Sequence, residues 1–274
     1  PARKLAVERD GIEVEGGQLR RYLSATRAPA MEDGSGTIPP TFAAVWETAL
    51  TLELLTLEPM PFPSGGIVHL GSEIVSIRPL RQDDRIRCRL ELERVEAHPR
   101  GVLLSLKGRN WNTSGHLCLE NSASMLVRGA SPPPGSGRSG SEREASRAGR
   151  DEDEERAWRE VGQWELRRDA GITYARASGD FNPIHLWPWT ARLMGLQRPI
   201  LHGHCSLAMM AHELTAATGL ALRRVEARFR TPLELPAQVR LEVSEGAEGS
   251  GMVTRLVDPR RPGRPYLEGV WVGG

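Results

Sequence analysis

Two things are nearly missing from this chain of 274 residues. Lysine is the first: among 36 basic residues only Lys4 and Lys107 are lysines, and the rest are arginines. Set against 35 acidic residues they leave a net charge of +1, so no bulk argument arises for binding nucleic acid or an anionic membrane. The simplest reading of the arginine excess is a GC-rich genome. Cysteine is the second: Cys88, Cys118 and Cys205 are odd in number and far apart. That excludes a disulfide framework and a Cys-type metal site, and it fits a reducing compartment. No apolar run approaches the length of a transmembrane helix, no signal peptide is evident, and the ending Trp271-Val-Gly-Gly matches no peroxisomal or retention address. A cytoplasmic protein with an ordinary core is expected from the 39% hydrophobic content.

What is present begins with an ambiguous N-terminal segment that holds a short strand and a helix. Phe42, Val45, Trp46, Ala49, Leu52 and Leu55 then recur at helical spacing and predict a buried helix, stopped by the Pro/Gly cluster at 58–66. No paired polar group marks this helix as catalytic. From Ile67 to Arg128 the period changes to two. Ile86, Cys88, Leu90, Leu92 and Val95 form one face with charges opposite, and four antiparallel strands are expected. His69 and His98 read as structural or surface histidines, although His69 is near enough to border a pocket. Residues 129–157 are Pro/Gly/Ser-rich, then basic, then acidic, and read as a disordered linker. A second unit follows over 158–274. It has a strand near Trp164, a helix capped by Asp169 and ending at Gly179, and a central helix from about Gly203 to Thr218. Four more strands complete it. A helix followed by four strands therefore occurs twice.

The chemistry concentrates between Ser178 and Ser206. Asp180 precedes His185 by five residues, and Asn182-Pro183 stiffens the loop between them. An acid and a base held over one small target are what general acid–base catalysis needs. His202-Gly203 precedes the central helix, where a bare backbone N–H at the positive end of the helix dipole suits an oxyanion. Singly, each feature also has a plain reading: an Asx-type turn, a structural histidine, a turn glycine.

Taken in order, "YARASGDFNPIH" and "RPILHGH" resemble the signature of MaoC-like dehydratases, the (R)-specific or type 2 enoyl-thioester hydratases. The stretches at 61–80, 97–101 and 228–243 resemble the bacterial double-hotdog hydroxyacyl-thioester dehydratases of that family. The resemblance spans about Pro39 to Val272 apart from the linker. It implies an α+β tandem hotdog, in which each long helix is wrapped by a curved antiparallel sheet. Residues 1–128 would be a non-catalytic hotdog helping to form an acyl tunnel; their lack of Asp-x-Asn-Pro-x-His agrees. Residues 158–274 would be the catalytic one.

By the same resemblance Asp180 and His185 are the catalytic pair, Gly203 supplies the oxyanion-hole N–H, Asn182 and Ser178 support the loop, and His202, His204 and Arg198 meet the substrate. The implied reaction is reversible hydration of a trans-2-enoyl thioester to the (3R)-hydroxyacyl thioester, with no metal and no cofactor. The thioester carrier is CoA or an acyl carrier protein, and some of Arg192, Arg198, Arg223, Arg224, Arg228 and Arg230 would meet it. No nucleic acid or membrane partner is implied, and a homodimer of double hotdogs is a candidate assembly. The chain departs from the family at His204, where methionine is common, at Ala211, where some relatives carry a supporting serine, and at Leu186 and Trp187, where acidic or small polar residues are usual. Two other readings stay open. One is a hotdog thioesterase, for which Glu213 is the helix carboxylate available. The other is a non-catalytic acyl-thioester-binding module.

Overall fold

The computed structural model describes residues 5–28, 36–57, 67–131, 137–138, 156–246 and 251–274. The Pro/Gly stop at 58–66 and most of the expected linker lie outside these residues. Within that linker, Gly137–Arg138 (β8) runs parallel to Glu96 and Ala97.

The first half comprises β1 (Ala6–Ile12), α1 (Gly16–Ala25), β2 (Thr37–Ile38), α2 (Ala44–Thr56), β3 (Ile67–Ser76), β4 (Leu80–Arg81), β5 (Ile86–His98), β6 (Gly101–Trp111) and β7 (Leu117–Arg128). The second comprises β9 (Arg159–Leu166), α3 (Ala170–Ser178), α4 (Pro188–Leu193), α5 (Gly203–Thr218), β10 (Leu222–Phe229), β11 (Ala237–Glu245), β12 (Met252–Val257) and β13 (Leu267–Gly273). The main sheet runs β1-β5-β6-β7-β3-β10-β13-β12-β11-β9. The two halves are the same path read from opposite edges, and β3 against β10 is the seam, with Ser72 opposite Ala227. The repeat is thus longer than the sequence pattern indicated, since each half also has a leading strand and helix, β1-α1 and β9-α3. Those helices pack on one another, with Gln18 Nε2 donating to the Ala177 carbonyl at 3.1 Å and the Tyr22 and Tyr174 rings 5.9 Å apart.

Each central helix is held by its half of the sheet. In α5 every residue from Cys205 to His212 is buried, and a helix apolar on nearly all sides has nowhere stable but the interior. It stops where Gly219 turns left-handed at φ 69°. The alternation in β5 puts Ile86, Cys88 and Leu90 inside, while Arg89 on the other face pairs with Glu8. Two expected core residues of α2 differ: Ala49 is exposed, and Leu52 is 55% exposed. Leu52 borders a cavity. The small β2-β4 pair was not foreseen, because two-residue strands carry no periodicity. All three cysteines are free and buried. Among the described residues no helix is long and apolar enough to cross a membrane.

Candidate active site

The loop after α3 is built by short-range hydrogen bonds. Gly179 adopts φ 80°, which reverses the chain at the helix end where a side chain would be strained. Ser178 Oγ donates to the Tyr174 carbonyl at 3.0 Å and accepts from the Asp180 N–H at 3.2 Å. Asp180 Oδ1 accepts from the Asn182 N–H at 3.2 Å, and Asn182 Oδ1 accepts from the Ile184 N–H at 3.3 Å. These successive Asx turns lead into one 3-10 turn, Pro183–His185, which delivers the His185 ring. Asp169, expected as a side-chain cap of α3, makes no cap hydrogen bond; its carboxylate pairs with Arg167 at 3.2 Å instead.

Two imidazoles then strap this loop to the segment before α5. His185 Nδ1 lies 2.9 Å from the Ile200 carbonyl, and His202 Nε2 lies 2.9 Å from the Asp180 carbonyl. A carbonyl only accepts, so both of these nitrogens carry hydrogen. His185 Nε2 is therefore a free lone pair when the ring is neutral. Burial lowers the pKa of His185, with the Ile200 and Asp180 oxygens opposing. It lowers that of His202 further, and the neighbouring His185 adds to the effect. Both rings are held neutral. Asp180, His185 and His202 each bring a donor atom within 4.8 Å of the others. A gap of that size suits one bridging water. It would also admit a divalent ion.

Asp180 and His185 line a cavity of about 1010 Å³ between the two halves. Gly203 lines it too. As the first residue of α5 its N–H has no partner within the helix. A Cβ at Gly203 would meet the Phe229 ring at 2.9 Å, so only glycine lets that ring pack against the helix start. His204 stands beside it, 3.4 Å from Ser72 Oγ, which in turn lies 2.9 Å from His69 Nε2. Burial lowers the pKa of His204 and, with help from His204, brings His69 down to about 3.

Several site expectations take a different shape here. His69, read as an ordinary histidine, is a cavity residue packed on His204 with ring centroids 4.6 Å apart. No signal in the sequence joins positions so far apart. His202 is only 2% exposed and holds the Asp180 backbone, while also lining the cavity. Arg198 lines a second depression of about 910 Å³, with Arg260, Arg261 and Arg264. The two spaces share Thr231, Pro232 and Tyr266. Glu213, the carboxylate expected for a thioesterase, packs against Gly162 on β9 rather than lining the main cavity. The helix expected to hold no paired polar group does hold one. Glu47 on α2 lines the cavity and accepts hydrogen bonds from Asn110 at 2.7 Å and Asn121 at 2.8 Å.

Comparison with known proteins agrees with this geometry. A sequence model described as the MaoC like domain matches residues 151–258, which include Asp180, His185 and Gly203. The 3-hydroxyacyl-thioester dehydratase X of Mycobacterium tuberculosis is 26% identical over 236 residues, covering 84% of this chain and 77% of that protein. The crystal structure of HtdX from Mycobacterium tuberculosis superposes with a TM-score of 0.78 at 22% identity, covering 98% of this chain and all of that one. A further Mycobacterium tuberculosis protein, described as having a double hotdog fold, matches with a TM-score of 0.64 at 15% identity over 97% of this chain and 94% of its own. The fold is therefore the double hotdog, and residues 151–258 within it match the MaoC like domain.

Proposed function

We propose that the protein reversibly hydrates trans-2-enoyl thioesters to (3R)-hydroxyacyl thioesters, with the second half catalytic and the first half shaping the acyl cavity. The observation that carries this reading is a neutral His185, its Nδ1 held by the Ile200 carbonyl, with a ring nitrogen within 4.8 Å of an Asp180 carboxylate oxygen, beside the N-terminus of α5. Water held by the pair attacks C3, and the proton it loses and the proton C2 gains both pass through Asp180 and His185. Negative charge gathers meanwhile on the thioester oxygen, where the Gly203 N–H meets it. The likeness to the 3-hydroxyacyl-thioester dehydratase X of Mycobacterium tuberculosis supports the same substrate class.

The carrier belongs to the same proposal. The arginine-lined depression of Arg198, Arg260, Arg261 and Arg264 opens onto the acyl cavity at Thr231 and Tyr266. Arg198 pairs there with Glu234, but Arg260, Arg261 and Arg264 have no ion pair among the described residues, unlike Arg224 and Arg228 of β10, so the depression suits the phosphates of CoA better. A cytoplasmic location fits three free buried cysteines.

The test is hydration of crotonyl-CoA, followed by loss of enoyl absorbance together with a free-thiol assay. Hydration without thiol release is expected; thiol release would indicate a thioesterase, and neither signal a binding module. Asp180→Asn and His185→Gln should each lower kcat by about 10²–10⁴-fold, and the double variant by far less than the product. Near-wild-type rates in both single variants would remove the pair from the mechanism.

A further inference from the structure

The acyl cavity has a polar far wall that hydrating a thioester does not use. It lies in the first half, on α2 and β7, where an alkyl chain would want only hydrocarbon. Glu47, Thr48, Thr51, Asn121 and Ser122 all line it, beside Leu52, Leu55 and Met125. The centre of this wall is a built network. Trp46 Nε1 donates to Asn110 Oδ1 at 2.7 Å, Asn110 Nδ2 donates to Glu47 Oε1 at 2.7 Å, and Asn121 Nδ2 donates to both Glu47 oxygens at 2.8 Å. No cation is among the partners of Glu47 in this network. Asn121 is 8% exposed, and its Oδ1 is buried without a hydrogen-bond partner. An acceptor left in that state is costly unless something fills the place of the missing donor.

We propose that Glu47 and Asn121, held by Asn110, form a second binding subsite that takes a hydroxyl group carried on the acyl chain of the substrate. It rests on the proposed function for the thioester end of the ligand. A hydroxyl suits the place because it both donates and accepts. It donates to the carboxylate or to Asn121 Oδ1, and it accepts from Glu47 when that group is protonated. Burial raises the Glu47 pKa to about 7, against the lowering effect of Asn110 and Asn121, so both states are accessible near neutrality. An unsubstituted alkyl chain would strip water from the same groups and return nothing. Sites built to hydrogen-bond a hydroxyl discriminate strongly against the analogue that lacks it.

The experiment compares binding of saturated acyl-CoAs, which carry no double bond to hydrate, with their ω-hydroxy counterparts at even chain lengths from about C6 to C14 by titration calorimetry. At one chain length or more the hydroxylated ligand should bind at least about tenfold more tightly. That ratio should fall to within about twofold in Glu47→Leu/Asn121→Leu, which removes the acid and the unpaired acceptor together. Glu47→Gln keeps the shape and the fold and should give an intermediate ratio. No preference for the hydroxyl at any length, or a preference that survives in both variants, overturns the proposal. Crotonyl-CoA hydration by the wild-type protein separates the two readings. If the wild-type protein fails to hydrate it, the hydratase assignment falls while the calorimetry still decides the subsite.

Discussion

His185 and His202 stack face to face, with ring centroids 3.6 Å apart and 25° between their planes, and each donates to a carbonyl beside the other. The pair clamps two chain segments that would otherwise be a free loop and a free helix entry. Protonating both rings would put two cations in contact, so a charge on one disfavours a charge on the other.

This clamp gives His202 a positioning part that can be measured. His202→Phe keeps a stacked ring but loses the hydrogen bond to the Asp180 carbonyl. It should lower kcat for crotonyl-CoA by about tenfold, the equivalent of one hydrogen bond of about 1.4 kcal/mol, with little change in KM. His202→Gln can still donate and should recover most of the loss. Equal losses in the two variants would mean that the hydrogen bond to the Asp180 carbonyl is not what His202 contributes.

The stretch from Ser178 to Ser206 was legible because its parts are contiguous. Asp180, Asn182, His185 and Gly203 lie within one loop and one helix start, and the limits of α5 at Gly203 and Gly219 follow from chemistry that the residues themselves carry. The alternation of β5 and the doubling of the helix-strand pattern were legible for the same reason. What the sequence hid is long-range. Glu47 meets Asn110 and Asn121 across 63 and 74 positions, and Ser72 meets His204 across 132. Local pattern does not encode such pairs. Leu52 was misread because periodicity reports that a helix has an apolar face, and the wall of an acyl cavity is apolar as well.

Burial holds five histidines below their ordinary pKa: His185, His202, His204, His69 at about 3 and His212 at about 4. In the unfolded chain each takes a proton near about pH 6.5. The unfolded state therefore binds more protons below that pH, and the stability these groups contribute above it is lost as pH falls toward 4 and then 3. Glu47 acts with the opposite sign: its raised pKa favours the fold at low pH, a contribution lost as pH rises through about 7. One group against five leaves net acid lability. The melting temperature should drop steeply from pH 7 to pH 5, and His212→Leu should flatten that slope by up to about 1.4 kcal/mol per pH unit. A flat melting temperature over this range would contradict neutral burial of these rings.

The arginine depression makes a separable prediction for the carrier. Reversing Arg261 and Arg264 to glutamate should raise KM for crotonyl-CoA by about tenfold at low salt, and the difference should shrink as salt is added. KM for crotonyl-pantetheine, which lacks the phosphates, should not move, nor should kcat for either substrate. If both substrates respond alike, the depression serves some purpose other than holding phosphate.

Gly203 offers a test of the helix start that does not require deleting its N–H. An added Cβ would come within 2.9–3.1 Å of three Phe229 ring atoms, closer than such contacts normally allow. Phe229 also packs on His69, with ring centroids 4.8 Å apart, so the ring has little room to retreat. Gly203→Ala should therefore push the first turn of α5 away from its place and lower kcat by about 10²-fold, the loss typical of one misplaced oxyanion donor. Phe229→Leu removes the obstructing ring edge and alone should cost little in kcat. Combined with Gly203→Ala it should restore at least about tenfold of the lost rate, because the alanine N–H then returns to the same position. Should the double variant remain as slow as Gly203→Ala, the steric origin of the defect would be wrong, and the glycine would be required for some reason other than the approach of that ring.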